Sequence, residues 1–333
     1  MTAIDVSVAL PPSFESAQHI ATAEQQGYRR AYLYDTPFGG DDVWLGLHRA
    51  AKQTTTIELG PAVLIPTQRH PLVNAAETVS LHRLAPGRVL TAFGTGFSSR
   101  AAIGQPPIRW SYMEAYIRAY QALLAGEVVD WEGAAIKLML SSAQADSLPL
   151  RIPLLLAATG PKGAGVAKRL GADGVISMFN VVPGQRGFRR AVVATMGTVL
   201  DDGEDLAGER VRLAVGASWA AAYHFVYTTQ GADALRELPG GSAWVDVIEK
   251  VPERLRHLNI HQGTMVEMND ADLAAWNAGG YASVPSVTLS GSVDTVGKAV
   301  AAMAAAGATE VIIEPSGPDI PRQLERFMAA VGN

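Results

Sequence analysis

A short apolar run rich in β-branched residues, a polar turn and about ten residues of helical spacing recur along this chain. That repeat constrains the fold more than any other feature. Ile4–Leu10 reads as a first strand; Phe14, Ala17, Ile20 and Ala21 then share a helical face and Gly27 stops it. Ala31–Asp35 is a second strand, followed by a turn with Pro37, Gly39 and Gly40 and a helix from about Asp42 to Gln53. Ile57–Ile65 is a third, and Pro71 suits the first turn of the next helix, where its missing N–H costs nothing. Arg88–Phe93, Pro153–Ala158, Gly174–Met178 and Arg212–Ser218 follow. Val311–Glu314 closes the series after a helix with Ser292 as its cap and Val293, Val296, Val300 and Met303 on one face.

These eight candidate strands are continuously apolar, as parallel strands covered on both faces are. Eight βα units closed on themselves make a (β/α)8 TIM barrel, with its chemistry at the C-terminal strand ends. An open doubly wound sheet obeys the same grammar, and strand counting alone leaves both open. The chain is expected to be one domain over residues 1–333, with insertions after strands 4 and 7 at about 97–150 and 221–285. The first insertion holds a helix over about 111–125 and a hairpin around Trp131-Glu132-Gly133.

Hydrophobic residues make up 48% of the 333 positions, enough for a full core. With 27 Lys+Arg against 32 Asp+Glu the net charge is −5, and no basic block is present, which disfavours nucleic acid as a partner. Cysteine is absent, so disulfides, thiolate metal sites, iron–sulfur clusters and cysteine nucleophiles are excluded and redox chemistry needs a cofactor. Met1–Leu10 has no basic leader, and no run nears the roughly 18 apolar residues of a membrane span. A cytoplasmic protein with small-molecule partners is expected.

The expected strand ends carry Asp35-Thr36-Pro37, Pro61-Ala62-Val63, Gly94-Thr95-Gly96-Phe97, Ala157 to Pro161 and Glu314-Pro315. Small, Gly-rich and mostly uncharged, they suit close approach of backbone to a large flat ligand better than hydrolysis. Gly94-Thr95-Gly96 lacks the third glycine of a dinucleotide fingerprint. Gly160-Pro161-Lys162 opens a helix whose free N–H groups could hold a phosphate, although ordinary βα turns carry such glycines too. His257 and His261 stand four apart without the glutamate of a zinc protease motif and read as a solvated helix face, so no metal site is expected. Gly-x-Ser-x-Gly is also missing. Tyr112, Tyr116 and Tyr120 repeat at helical spacing and read as packing, whereas Trp110 could cover a ligand.

The run Ile57 to Pro71, followed by Leu84-Ala85-Pro86-Gly87-Arg88 and Gly94-Thr95-Gly96, resembles the bacterial luciferase-like superfamily; Pro153 to Pro161, Ala172-Asp173-Gly174 and Gly291 to Pro315 extend the likeness. Within it the chain looks most like the branch dependent on coenzyme F420, a deazaflavin, which includes methylenetetrahydromethanopterin reductase-like proteins. The resemblance implies a (β/α)8 barrel with the cofactor ring across the C-terminal strand ends. It also implies a cis peptide at Ala62-Val63 beneath the ring, Asp35 against the ring, Thr95 and Gly96 at the ring or ribityl chain, and Ala157, Ala158, Thr159, Gly160, Pro161 and Lys162 at the phosphate end.

Thr36 and Phe97 stand where the sugar-phosphate dehydrogenases of that branch carry a histidine and an acid, which argues against a sugar phosphate. Phe97, with Thr36, Phe38 and Trp110, would suit an uncharged or partly apolar substrate. The expected chemistry is hydride transfer between the deazaflavin and a small organic molecule, with Asp35, His70 and Glu314 as candidate proton carriers. His70 could instead cap the helix at Pro71, and Asp35 could hold its turn. An FMN-dependent monooxygenase on the same barrel and a non-catalytic deazaflavin-binding protein are the alternatives. A homodimer through the second and third helices is expected.

Overall fold

A computed structural model describes residues 4–332, and the part of the leader expectation that falls on Met1 to Ala3 lies outside the described residues. Eight strands form the barrel: β1 (Asp5–Leu10), β2 (Arg30–Leu33), β3 (Glu58–Pro61), β4 (Thr91–Phe93), β7 (Leu154–Ala157), β8 (Gly174–Met178), β9 (Arg190–Met196) and β10 (Glu310–Glu314). A separate antiparallel hairpin, β5 (Val129–Trp131) and β6 (Ala134–Ile136), turns at Glu132-Gly133 as the sequence suggests. The barrel strands pair in the order β3-β2-β1-β10-β9-β8-β7-β4, all parallel. Parallel bridges Leu59–Val89 and Leu64–Phe93 join β3 to β4, so the sheet closes and the open-sheet alternative is excluded.

Alternation along each strand sorts two cores. On β1, Val8 and Leu10 face the helices while Ala9 faces inward. The barrel interior is filled by Ala9, Tyr32, Leu90, Ala92, Leu155, Ile176, Val192, Ala194 and Ile312. Its N-terminal end is plugged by charge. Glu310 Oε2 accepts from Arg190 (2.7 Å), and Oε1 accepts from Ser7 Oγ (2.7 Å) and the Tyr32 hydroxyl (2.9 Å). Arg30 adds a contact to Glu310 at 3.3 Å. With the floor sealed, the opposite, C-terminal end is the mouth.

Local chemistry sets the helix starts. The Asp42 carboxylate accepts the Trp44 and Leu45 N–H groups to begin Val43–Gln53, and Ser292 accepts Thr295 N–H to begin Val293–Ala305. Phe14 lies ahead of its helix, three-quarters exposed beneath the Arg49 guanidinium, rather than on the apolar face. Among the described residues no helix is long and apolar enough to cross a membrane.

Several expectations need correction. Arg212–Ser218 is not a strand but part of the helix Glu209–Gln230, where Val211, Val215, Trp219 and Tyr223 recur at helical spacing on one buried face. The missing strand is β9, which the sequence grammar passes over because only the single turn Pro183–Gln185 separates it from β8. The second insertion is correspondingly longer than 221–285: it follows β9, its ends are pinned by the Val199–Gly291 bridge, and it has its own core around Trp219, Tyr223, Trp244 and Trp276. In the first insertion, Trp110–Leu124 packs on Pro71–Leu84 as a barrel helix. His261 is buried, not solvated, and burial pushes its imidazole down to about 4.

Candidate active site at the barrel mouth

The parallel strands deliver Asp35, Ala62-Val63, Gly94 to Phe97, Ala157 to Lys162 and Glu314 to one rim. The Ala62–Val63 peptide is cis, at the bond where the resemblance places it. Tyr34, Ala62, Val63 and Ala157 cap the interior core and form the surface on which a ligand would rest. Gly94 explains itself by close approach: a Cβ there would stand 2.5 Å from Val63 Cγ2 and 3.6 Å from Ala157 Cβ. Gly96 takes the left-handed conformation, φ +79°, and caps the short helix Phe97–Ala101. The Thr95 carbonyl accepts Ile108 N–H.

Asp35 is buried and held on several sides. Arg69 Nη1 donates to Oδ1 at 2.5 Å, and Ile65 N–H donates to Oδ2 at 3.2 Å. The Gln68 amide, turned nitrogen inward so that both of its ends are satisfied, donates to the two oxygens at 3.1 and 3.0 Å. Burial lifts the Asp35 carboxyl above the usual aspartate range, and Arg69 opposes that lift. Arg69 also grips Asp42, the cap of the next helix.

Glu314 ends β10 on the inward side. Burial pushes its carboxyl up to about 7, a shift opposed by the adjacent Tyr34 hydroxyl, whose oxygen also lies 3.2 Å from the Ala9 carbonyl. A carboxyl poised there exchanges a proton near neutrality. His70 is exposed, and its Nδ1 accepts Leu72 N–H at 3.2 Å, capping Pro71–Leu84. Its ring lies edge-on to Trp131 of the hairpin, 6.3 Å away.

Gly160 begins the helix Pro161–Arg169 with no side-chain cap. Thr159, Gly160, Pro161 and Lys162 are exposed, and a Cβ on Gly160 would meet nothing within 4 Å. The first turn thus presents uncommitted N–H groups and a lysine to open space, which fits a phosphate. Together with the apolar shelf at Val63 and Ala157, the residues present fit a deazaflavin or flavin.

On the substrate side, Phe97 meets Phe225 of the inserted lobe with ring centroids 5.2 Å apart. Phe38 is 40% exposed on the turn beside the mouth, and Thr36 is half-buried with its carbonyl accepting Gly39 N–H. Trp110 is placed otherwise: its ring lies over Gly163, where a Cβ would come within 2.5 Å, so it buttresses the helix opened by Gly160. Tyr116 and Tyr120 are buried packing residues. Tyr34, Arg69, Gln68 and Phe225 are not singled out by the sequence alone. The inward alternation of Tyr32 on β2 and Tyr34 just beyond its end is a readable signal for the first; the others depend on pairings distant in sequence. Among the described residues no cluster could hold a metal ion.

The family model described as luciferase-like monooxygenase matches residues 11–310. The chain belongs to that family. The 5,10-methylenetetrahydromethanopterin reductase of Methanolobus tindarius is 29% identical over 50% of this chain and 50% of its own. The F420-dependent glucose-6-phosphate dehydrogenase of Beutenbergia cavernae is 38% identical over 40% of each. This chain thus spans about half or less of the length of these two relatives. Likeness to a glucose-6-phosphate dehydrogenase does not fit the expectation that sugar phosphates are excluded. Among solved structures, the coenzyme F420-dependent tetrahydromethanopterin reductase of Methanopyrus kandleri superposes with a TM-score of 0.66 at 18% identity, covering 98% of this chain and 97% of that one. An FMN-bound type II Baeyer-Villiger monooxygenase component from Pseudomonas putida gives 0.59 at 12%, covering 99% and 98%. Both share the barrel. Members of this luciferase-like family are oxidoreductases or monooxygenases.

Proposed function

We propose that this chain is an oxidoreductase that uses coenzyme F420 and moves a hydride between it and a small organic substrate. The observation that carries this reading is the uncapped helix start at Gly160 to Lys162, open to solvent on the same rim as the Val63–Ala157 shelf and the Glu314 carboxyl. The F420-dependent relatives support the choice of cofactor.

When bound, the deazaflavin supplies hydride donation or acceptance at its C5. Ala62, Val63 and Ala157 would carry the ring, with Gly94 leaving the room and Asp35 at its edge. Thr95 and Gly96 would meet the ring or ribityl chain, and Ala158 to Lys162 the phosphate. Thr36, Phe38 and Phe97 would exclude water around the substrate, with Trp110 holding the phosphate helix in place. Glu314 would hold or release a proton at its carboxyl beside the substrate, with Asp35 and His70 as lesser candidates. The chain would act as a homodimer through the exposed Leu45 and Val73 on the second and third helices.

Anaerobic mixing of the protein with F420 and a panel including glucose 6-phosphate, imines and unsaturated carbonyls tests the reading. Substrate-dependent change in deazaflavin absorbance without oxygen is the expected outcome. Oxygen-dependent turnover with reduced FMN instead would establish the monooxygenase reading that the family's description favours. F420 binding without turnover across the panel would make the protein a carrier.

A further inference from the structure

Two adjoining, solvent-open cavities of about 390 Å³ each, the first of them shallow, lie at the N-terminal ends of β7, β8 and β9, on the face opposite the mouth. They share Arg151, Gly171 and Asp173. One is an apolar slot between Leu124, Leu150 and Ile152, with Tyr120 in its wall. The other is a polar cleft bounded by Arg151, Lys168 and Arg189.

Charge in the cleft does not balance. Its one carboxylate, Asp173, is already engaged: Oδ1 accepts from Arg189 at 3.1 Å, and Oδ2 accepts Leu154 N–H at 3.0 Å. Neither Arg151 nor Lys168 forms an ion pair among the described residues, and the Lys168 ammonium lies 6.0 Å from the Phe188 ring centre. The end of the helix Pro161–Arg169 gives a reason for a cation at 168. It gives none for Arg151, which stands on the loop entering β7. Gly171 and Gly187, at φ +64° and +91°, keep the walls clear, since a Cβ on either would meet nothing within 4 Å.

We propose that the paired cavities bind a small amphipathic anion, a phosphate or carboxylate head on a single ring or short hydrocarbon body. The head takes the guanidinium of Arg151 and the ammonium of Lys168 as charge-assisted donors. The body fills the slot beside Leu124 and Leu150. This site is separate from the mouth and does not depend on the cofactor assigned there.

Calorimetric titration of the full chain with phenyl phosphate, inorganic phosphate and benzyl alcohol tests it. Phenyl phosphate is expected to bind at least about tenfold more tightly than either fragment, since head and body are engaged together. Arg151→Ser combined with Lys168→Ser should weaken it about tenfold or more in a Gly160→Val background, where the phosphate-holding turn at the mouth is filled and only the site at Arg151 and Lys168 remains to be read. Arg151→Gln alone alters an exposed, unpaired side chain and keeps the test readable if the double variant fails to fold. The proposal is overturned by absence of heat in the millimolar range, by equal affinity for inorganic phosphate, by indifference to the Arg151 and Lys168 changes, or by loss of binding in Gly160→Val.

Discussion

The Glu314 carboxyl and the Tyr34 hydroxyl lie side by side at the inner end of the mouth, and burial holds Glu314 at about 7 while raising Tyr34 well above its ordinary value. With its native pKa above that of the unfolded chain, Glu314 binds more protons in the native state. Its favourable contribution is fully present below about pH 4.5 and is lost as pH rises through 7. Glu314→Gln should therefore flatten the fall in stability between pH 5 and 8, by roughly 3 kcal/mol at most. Urea denaturation at a series of pH values reads this. In turnover, the same variant should erase the pH limb near neutrality; an unchanged profile would remove Glu314 from proton transfer.

Arg69 links Asp35 to Asp42, so Arg69→Met leaves a buried carboxylate without its cation. The expected cost is roughly 3–5 kcal/mol, measured by urea denaturation. Adding Asp35→Asn should restore a large part of it, because the orphaned charge is then gone. A double variant no more stable than Arg69→Met would show that the lost packing of Arg69, not the charge on Asp35, sets the cost.

Gly94→Ala forces a methyl group to within 2.5 Å of Val63 Cγ2 and tips the shelf. It should destabilise the fold by roughly 1–3 kcal/mol and lower cofactor affinity by more than that cost alone explains. Comparison of thermal melting with fluorescence titration separates the two effects.

The charged floor provides the control. Glu310→Gln leaves the buried Arg190 without its carboxylate, while Arg30 keeps Asp5 and Glu58, and should cost several kcal/mol, on the order of 3–5, while leaving cofactor affinity unchanged in the folded fraction. A matching loss of affinity would mean that floor and mouth are coupled.

Leu45→Glu with Val73→Glu places charge on the proposed dimer face. Sedimentation should show a dimer for the unaltered chain and a monomer for the variant.

The barrel was legible wherever strand and helix alternated with full-length connections, as from β1 to β4. It is not legible at β9, whose β-branched run Arg190–Met196 follows β8 with only the single turn Pro183–Gln185 between them, while the apolar stretch Arg212–Ser218 in the helix Glu209–Gln230 has the composition of a strand. Backbone features of the site were readable because Gly94, Gly96 and Gly160 mark close approach and an open helix start. Arg69 on Asp35, Tyr34 beside Glu314 and Phe97 on Phe225 were not, since each pairing is created only when distant strands meet at the rim. Trp110 looked like a cover in sequence because nothing local reveals that Gly163 leaves a hollow for its ring.

The proposed function depends on a phosphate-tailed redox cofactor being anchored at Gly160. This residue sits at φ −121°, ψ 166°, which valine tolerates, and its surroundings leave a side chain free of clashes, so Gly160→Val should fold normally while filling the anion's space. Fluorescence titration of both proteins with F420 and FMN is the direct measurement. The unaltered chain is expected to bind F420 tightly, and the variant about tenfold or more weakly. Equal affinity in the two proteins, or no binding of either cofactor, would rule out a phosphate anchor at Gly160.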